Sequence, residues 1–187
     1  MLYPPNRNAQ KGKRLSNWLF TVSVIIAALS LTINILTTPD LNWGMLVCLG
    51  ILYIWITIWY FLKSRRNLAG HILIQTIAVS TLTVGIDYFI GYKGWSLSIA
   101  IPIILITANT VMLLLAIVSR KKYLSYVIDQ FFIIIISMIP IFFLTKHMLS
   151  NPILTYISIG ISILNFVVTS VLCQKEIREE FKRKLHI

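Results

Sequence analysis

Six long apolar runs dominate this chain of 187 residues. They lie at residues 15–36, 43–62, 68–90, 95–118, 123–144 and 152–173. Each run has 20 to 24 residues, which is enough to cross about 30 Å of hydrocarbon as a helix, whereas a membrane β-strand needs only about 10 residues. The pattern therefore predicts an all-α polytopic membrane protein, a bundle of six transmembrane helices.

Basic residues fall on alternate connections between these runs. Of the 17 Lys and Arg residues, 15 lie before the first run, between the second and third, between the fourth and fifth, and after the sixth. The positive-inside rule then predicts that both termini are cytoplasmic. A net charge of +11 could also indicate nucleic acid binding. Because the charges are dispersed beside helix ends, anionic lipid headgroups at the inner face account for them, and no nucleic acid partner is expected.

The runs divide the chain into three parts. Residues 1–14 form a basic cytoplasmic arm, expected to be irregular, 15–173 the membrane domain, and 174–187 a charged cytoplasmic tail. In the tail, Ile177, Phe181 and Leu185 recur every four residues, as on one face of a helix. The tail is therefore expected to continue the last helix or to lie on the inner surface. It is either a solvated extension or a docking helix for a protein partner.

Small residues and prolines within the runs predict how the helices pack. The small residues are Thr81, Gly85, Ala100, Ala108, Ala116, Ser158, Gly160 and Ser162. They permit close helix approach, and we expect contacts within the bundle rather than a homodimer interface. Pro102 and Pro140 interrupt the fourth and fifth runs. A kink is the default expectation at each, and a discontinuous, ligand-coordinating helix is the alternative.

Polar residues within the apolar runs are the first candidates for a functional site. They are Gln75, Asn109, Asp129, Gln130 and Asn165, with His71 one turn from Gln75. Counted from the nearer cytoplasmic run end, the first five lie at a similar depth, roughly 10–15 Å from the inner boundary. One hypothesis is hydrogen bonding that joins the helices. The other is a polar cavity that opens to the cytoplasm, with Asp129 as the anchor for a cation or proton and His71 within reach of it.

Asp87 and Asn34 form a second candidate pair near the outer ends of the third and first runs. The simpler interpretation of Asp87 is an interfacial carboxylate that faces water or Lys93. The alternative is an outer gate or entrance site.

No catalytic, metal or cofactor motif accompanies these residues. The runs contain no Glu, and the two Asp residues lie near opposite surfaces, so paired-carboxylate catalysis within one chain is not expected. The cysteines Cys48 and Cys173 belong to no CxxC pair, and the three histidines are dispersed, which does not support a metal site. We therefore expect a protein that is not an enzyme and has no cofactor.

Short motifs along the chain carry a resemblance to a known family. They are YPPN at 3–6, Trp18, YIWIT at 53–57, DYFIGYKGW at 87–95, AN at 108–109 and LHI at 185–187. With these motifs the chain resembles an uncharacterised bacterial family of small six-helix integral membrane proteins, many of which carry an N-terminal zinc ribbon. The resemblance implies a bacterial cytoplasmic membrane location and a cytoplasmic contact role. The ribbon cysteines are absent from this sequence, so the resemblance carries over no zinc site.

Two classes of function follow from the sequence. The first is a non-enzymatic scaffold, sensor or accessory subunit, favoured by short loops, a basic inner face and the amphipathic tail. The second is small-solute binding or transport, similar to the substrate-binding membrane subunits of vitamin transporters, which are also small six-helix proteins. The first run lacks a clear Ala-x-x-x-Ala docking pattern for that second class.

Overall fold

The computed structural model describes residues 7–63, 68–118, 123–145 and 152–185. Within these ranges the protein is all-helical, with six α-helices and no strand. The helices are α1 Arg7–Thr37, α2 Trp43–Lys63, α3 Leu68–Phe89, α4 Ile101–Val118, α5 Tyr123–Thr145 and α6 Ile153–Leu185. A π-helical turn, Ser96–Ala100, leads into α4. The YPPN motif, the basic connections 64–67 and 119–122, and residues 186–187 lie outside the described residues.

Each of the six helices supplies a segment long and apolar enough to span a membrane, and the fourth segment also includes the π-helical turn before α4. These segments begin and end within three residues of the runs seen in the sequence, for example Trp43–Leu62 and Ile153–Leu172. By length and composition the fold is therefore consistent with a multi-pass membrane protein. The prediction of six helices in place of strands is confirmed for the described residues.

The two ends of the chain differ in how well their structure was predicted. The basic arm was expected to be irregular, which is wrong for its second half because α1 begins at Arg7. The residues from Ala9 to Arg14 include Ala, Gln, Lys and Arg, all good helix formers, and they extend the apolar helix backward. At the other end, α6 continues unbroken to Leu185, which matches the first of the two arrangements expected for the tail.

The chain divides into two compact units, residues 1–52 and 53–187. In the first unit, the side chain of Asn34 organises the turn between α1 and α2. Its Oδ1 accepts a hydrogen bond from the Gly44 backbone N–H at 2.7 Å, and its Nδ2 donates to the carbonyls of Thr38 and Leu41. The amide thus satisfies backbone groups that the helix end and turn would otherwise leave unpaired. Asn34, one of the two residues of the outer candidate site, therefore has a local structural role.

In the second unit, α3, α4, α5 and α6 form a helical bundle, with α6 packed against both α4 and α5. The apolar core includes Ala69, Leu105, Ala108, Met112 and Ile133, each at most 5% exposed. Among the small residues, Ala108, Ala116, Ser158 and Ser162 are buried as expected, whereas Thr81 and Gly160 lie on exposed faces. Helix α5 continues through Pro140, and Pro102 lies just after the π-helical turn.

Gly44→Ala is expected to destabilise the first unit. A Cβ at position 44 would lie 2.9 Å from Asn34 Oδ1 and 3.1 Å from the Ser30 carbonyl oxygen. Relieving this crowding displaces the Asn34 amide, at about 1–3 kcal/mol. Gly50→Ala is the matched control, because its Cβ meets no atom within 4 Å and Ala is the better helix former. Thermal unfolding in detergent micelles measures both variants, and equal midpoints would contradict this role of Gly44.

Candidate functional site

Four buried polar side chains form a hydrogen-bonded network across α4, α5 and α6. Gln130 Nε2 donates to Asn165 Oδ1 at 2.6 Å, and Asn165 Nδ2 donates to Asn109 Oδ1 at 2.9 Å. Asn109 Nδ2 in turn donates to Ser137 Oγ at 2.6 Å. All four residues are at most 1% exposed. We call this set the amide network.

The amide network is also tied to the helix backbones. Asn109 Nδ2 donates to the Leu105 carbonyl at 2.9 Å, and Ser137 Oγ donates to the Ile133 carbonyl at 2.8 Å. Thr169 Oγ1 lies 3.5 Å from Asn165 Oδ1, at the limit of a hydrogen bond. Because these polar atoms are occupied by protein partners, the network has the features of interhelical bonding rather than of an open binding site.

Asn165, the residue that α6 supplies to the network, belongs to a continuous stripe of polar residues along that helix. The stripe consists of Thr155, Ser158, Ser162, Asn165 and Thr169, all 0% exposed. Their spacing of three or four residues places them on one face. The hydroxyls of Thr155, Ser158 and Ser162 have no hydrogen-bond partner within the described part of the chain. Their small size instead lets α6 approach its neighbours closely.

The other residues predicted at the same depth occupy different places. Gln75 Nε2 donates to the Tyr53 hydroxyl, and Thr57 Oγ1 donates to Gln75 Oε1 at 3.3 Å, so Gln75 joins α3 to α2. His71 packs against the rings of Tyr60 and Phe61, with centroid distances of 4.9 and 5.6 Å. The structure therefore brings Asn109, Gln130 and Asn165 together, and it directs Gln75 and His71 toward α2.

Asp129, proposed from the sequence as a charged anchor, immediately precedes Gln130 in α5. Neighbouring residues in a helix are about 100° apart around the axis, so Asp129 lies on an adjacent face. Its side chain is half-buried, whereas that of Gln130 is fully buried. It is Gln130, rather than Asp129, that supplies the α5 amide of the network.

A groove runs along α3 between the second half of α2 and α4. Its volume is about 580 Å³, within the range of about 300–1,000 Å³ typical of small-molecule sites. The most deeply buried lining residues are Thr76 and Ala108. The remaining lining residues are Thr57, Tyr60, Phe61, Leu68, His71, Ile72, Ile74, Gln75, Val79, Ile103, Ile104, Thr107 and Val111. We call this feature the α2–α4 groove.

Asp87, the second residue of the outer candidate site, is buried rather than facing water, with only 1% of its surface exposed. Its Oδ1 accepts the Lys93 backbone N–H at 3.0 Å. Its Oδ2 accepts the Ser96 backbone N–H at 3.2 Å and the Ser96 hydroxyl at 2.7 Å. The carboxylate thus caps the start of the fourth membrane segment, where a negative charge is favourable. The expectation that this carboxylate faces water is wrong, and its contact with Lys93 is made through the Lys93 backbone N–H.

The backbone around Asp87 explains why this carboxylate turns inward. Helix α3 ends in a Schellman motif, in which the Tyr92 N–H donates to the Asp87 carbonyl at 2.8 Å and the Gly91 N–H to the Tyr88 carbonyl at 3.3 Å. Gly91 and Gly94 have φ of 104° and 73°, values that glycine adopts without steric cost. These two turns fold the loop back over Asp87. The DYFIGYKGW motif thus has a structural explanation.

Comparison with known families matches residues 3–187 to a family of unknown function, DUF6320. The chain belongs to this DUF6320 family. The match covers almost the whole sequence and includes all six helices. No curated protein and no solved structure is significantly similar to the chain. Membership in DUF6320 therefore assigns no activity to the residues described above.

The sequence did not reveal several partners of the candidate residues. Ser137 completes the amide network, and Tyr53 and Thr57 bind Gln75. A signal for Ser137 exists, since it lies seven residues after Gln130 in α5 and so on the same helical face. Within the described residues, no group of three or more His, Cys, Asp or Glu side chains could hold a metal ion.

Asn165→Leu is expected to destabilise the bundle more than any change at Asp129. The substitution removes the acceptor of Gln130 Nε2 and the donor to Asn109 Oδ1, which leaves two buried polar atoms unpaired at about 1–3 kcal/mol each. Asp129→Asn is the comparison variant, because it keeps side-chain volume at a half-buried position. The free energy of unfolding in micelles measures both. A larger loss for Asp129→Asn would contradict the central role of the amide network.

Asp87→Ala is expected to lower stability by about 2–4 kcal/mol, because three donors at Lys93 and Ser96 lose their shared acceptor. Asp87→Asn keeps one acceptor oxygen and should lose roughly half as much. Unfolding midpoints of the two variants test this order. If both match the wild type while a transport or binding activity is lost, Asp87 acts as an outer gate and the capping role is wrong.

Proposed function

We propose that this DUF6320 protein is a non-enzymatic scaffold or accessory subunit of a membrane complex, which binds a cytoplasmic protein through the end of α6. The observation that carries this proposal is the continuity of α6. A single helix runs from Ile153 to Leu185, although its membrane-spanning segment ends at Leu172. The 13 residues beyond Leu172 extend for about 20 Å as helix.

The membrane half of α6 is held firmly enough to orient this extension. Its polar stripe is fully buried, and Asn165 is bonded to both Gln130 of α5 and Asn109 of α4. Because the helix continues without a break, the extension follows the orientation of the bundle. A partner bound there would be held in a defined direction relative to the membrane domain, which is what an accessory subunit requires.

The sequence of the extension indicates the kind of partner. Ile177, Phe181 and Leu185 recur every four residues among charged residues of both signs, the pattern of a helix that binds an apolar groove in another protein. In an ideal helix, residue 181 lies about 160° around the axis from residue 165. The apolar stripe of the extension therefore does not continue the buried polar stripe of the membrane half, so it is suited to a separate partner.

The proposed location is the bacterial cytoplasmic membrane, with both termini in the cytoplasm. Support comes from the 15 basic residues on alternate connections and from the positive-inside rule. The bacterial origin and the cytoplasmic contact role rest on the resemblance to relatives that carry a zinc ribbon. Anionic headgroups at the same face would bind the basic connections.

Small-solute binding in an inner polar cavity has weaker support. Asn109, Gln130 and Asn165 are hydrogen-bonded to one another, so a ligand at this level would have to replace those bonds. When a ligand breaks one of these hydrogen bonds, it must itself bond to the donor and the acceptor that are freed, in the same geometry. The bonded amides therefore favour a structural role for this layer over a cavity.

The test is purification of the tagged full-length protein from its native membranes, with Phe181→Glu compared to Arg183→Gln. Both substitutions lower the net charge by one, but only the first disrupts the apolar stripe. We expect one stoichiometric protein partner with the wild type and with Arg183→Gln, reduced about tenfold by Phe181→Glu, which corresponds to about 1.4 kcal/mol. Purification through that partner should recover this chain in return.

Recovery of the same proteins with all three forms would overturn the docking role of α6. Native mass spectrometry of the protein released from lipid nanodiscs distinguishes small-solute binding from the scaffold function. A defined small mass that accompanies the wild type and is absent from Asp129→Asn would favour solute binding in place of the scaffold proposal.

A further inference from the structure

The α2–α4 groove lies entirely within membrane-spanning segments. Its lining residues come from Trp43–Leu62, Leu68–Phe89 and Ser96–Val118. Along α3 it extends from Leu68, the first residue of the segment, to Val79, a distance of about 17 Å. This is close to the depth of one leaflet, about half of the 30 Å hydrocarbon core. The groove therefore has the length of a single acyl chain that enters from one membrane surface.

Four polar lining residues of the groove, Thr57, Gln75, Thr76 and Thr107, use their polar atoms within the protein. Thr76 Oγ1 donates to the Ile72 carbonyl and Thr107 Oγ1 to the Ile103 carbonyl, both within one helix. Gln75 is bonded to Tyr53 and Thr57. Because these polar atoms are already paired, the groove offers methyl and methylene groups to an occupant, as a hydrocarbon chain requires.

The rim of the groove is accessible from the side. Phe61, Leu68, Ile103 and Val111 are each at least 40% exposed, and all four line the groove. In a bilayer such side chains contact lipid, so a chain can enter laterally without crossing a polar region. Thr76 and Ala108, at 5% exposure each, limit its depth.

The sequence that connects α2 to α3 indicates which headgroup the lipid carries. Phe61 and Leu68 line the groove, and the sequence between them contains Lys63, Arg65 and Arg66 without an acidic residue. A basic segment next to a membrane-spanning helix attracts anionic lipid by about 1 kcal/mol for each Lys or Arg. From length, apolarity, lateral access and charge, we propose that the α2–α4 groove is a specific site for one anionic phospholipid, whose acyl chain lies along α3.

The site is independent of the proposed scaffold function, because it shares no residue with the end of α6. The experiment uses full-length protein in nanodiscs that contain equal amounts of phosphatidylglycerol and phosphatidylcholine with identical chains. Native mass spectrometry then counts the lipids retained after release. The wild type is expected to retain one phosphatidylglycerol, at least about tenfold more often than phosphatidylcholine, equivalent to about 1.4 kcal/mol.

Thr107→Trp and Thr110→Trp form a matched pair for this measurement. Both threonines are exposed on α4, and each donates its hydroxyl to the carbonyl four residues earlier, at 2.9 and 2.8 Å. Only Thr107 lines the groove. An indole at position 107 fills the groove, so Thr107→Trp should reduce retained phosphatidylglycerol about tenfold, while Thr110→Trp retains it.

Equal retention in the two variants, or equal retention of the two lipids by the wild type, would overturn the proposal. Val111→Trp provides a second obstruction, since Val111 also lines the groove and is 40% exposed. If Thr107→Trp fails to fold, Val111→Trp decides the outcome against the same Thr110→Trp control. Lipid loss in a correctly folded Val111→Trp variant supports the site, and unchanged retention rejects it.

Discussion

The core of the helical bundle depends on the hydrogen bonds of Asn165. Hydrocarbon offers no partner to an amide, so each buried amide must be satisfied by another protein group. Asn165 accepts from Gln130 of α5 and donates to Asn109 of α4, so one side chain sets the heights of three helices. A slip of α6 by one turn would move this amide by about 5.4 Å and separate it from both partners. The network thus supplies the register that apolar contacts alone leave loosely defined.

Polar contacts lie at different places in the two compact units. In the first unit they organise the end of α1, where Asn34 bonds to the turn that follows it. In the second unit the amide network lies inside the bundle and joins α4, α5 and α6.

Much of the fold followed from the sequence because apolar length determines where a span begins and ends. Counting residues from the helix ends grouped Asn109, Gln130 and Asn165 at one depth, and the structure joins these three by hydrogen bonds. The direction of a side chain around its helix was not readable in this way, and Gln75 bonds to α2 instead. Asp87 was expected to face water because it lies near the outer end of the third apolar run. Its burial depends on the positive φ of Gly91 and Gly94, which a pattern of hydropathy does not reveal.

The π-helical turn before Pro102 limits which insertions and deletions this part of the chain can accept. Pro102 has no N–H to bond to the carbonyl of Ser98, and at the turn the Ile101 N–H bonds to the Ser96 carbonyl, five residues back. Such a turn is equivalent to one inserted residue in an α-helix. Deleting one residue within Ser96–Ala100 would therefore remove the extra residue and leave an ordinary helix, whereas deleting two would rotate everything before the turn by about 100° relative to everything after it. The Asp87 cap and the Asn109 amide could not then both keep their partners, so the length of this turn is constrained whatever its side chains are.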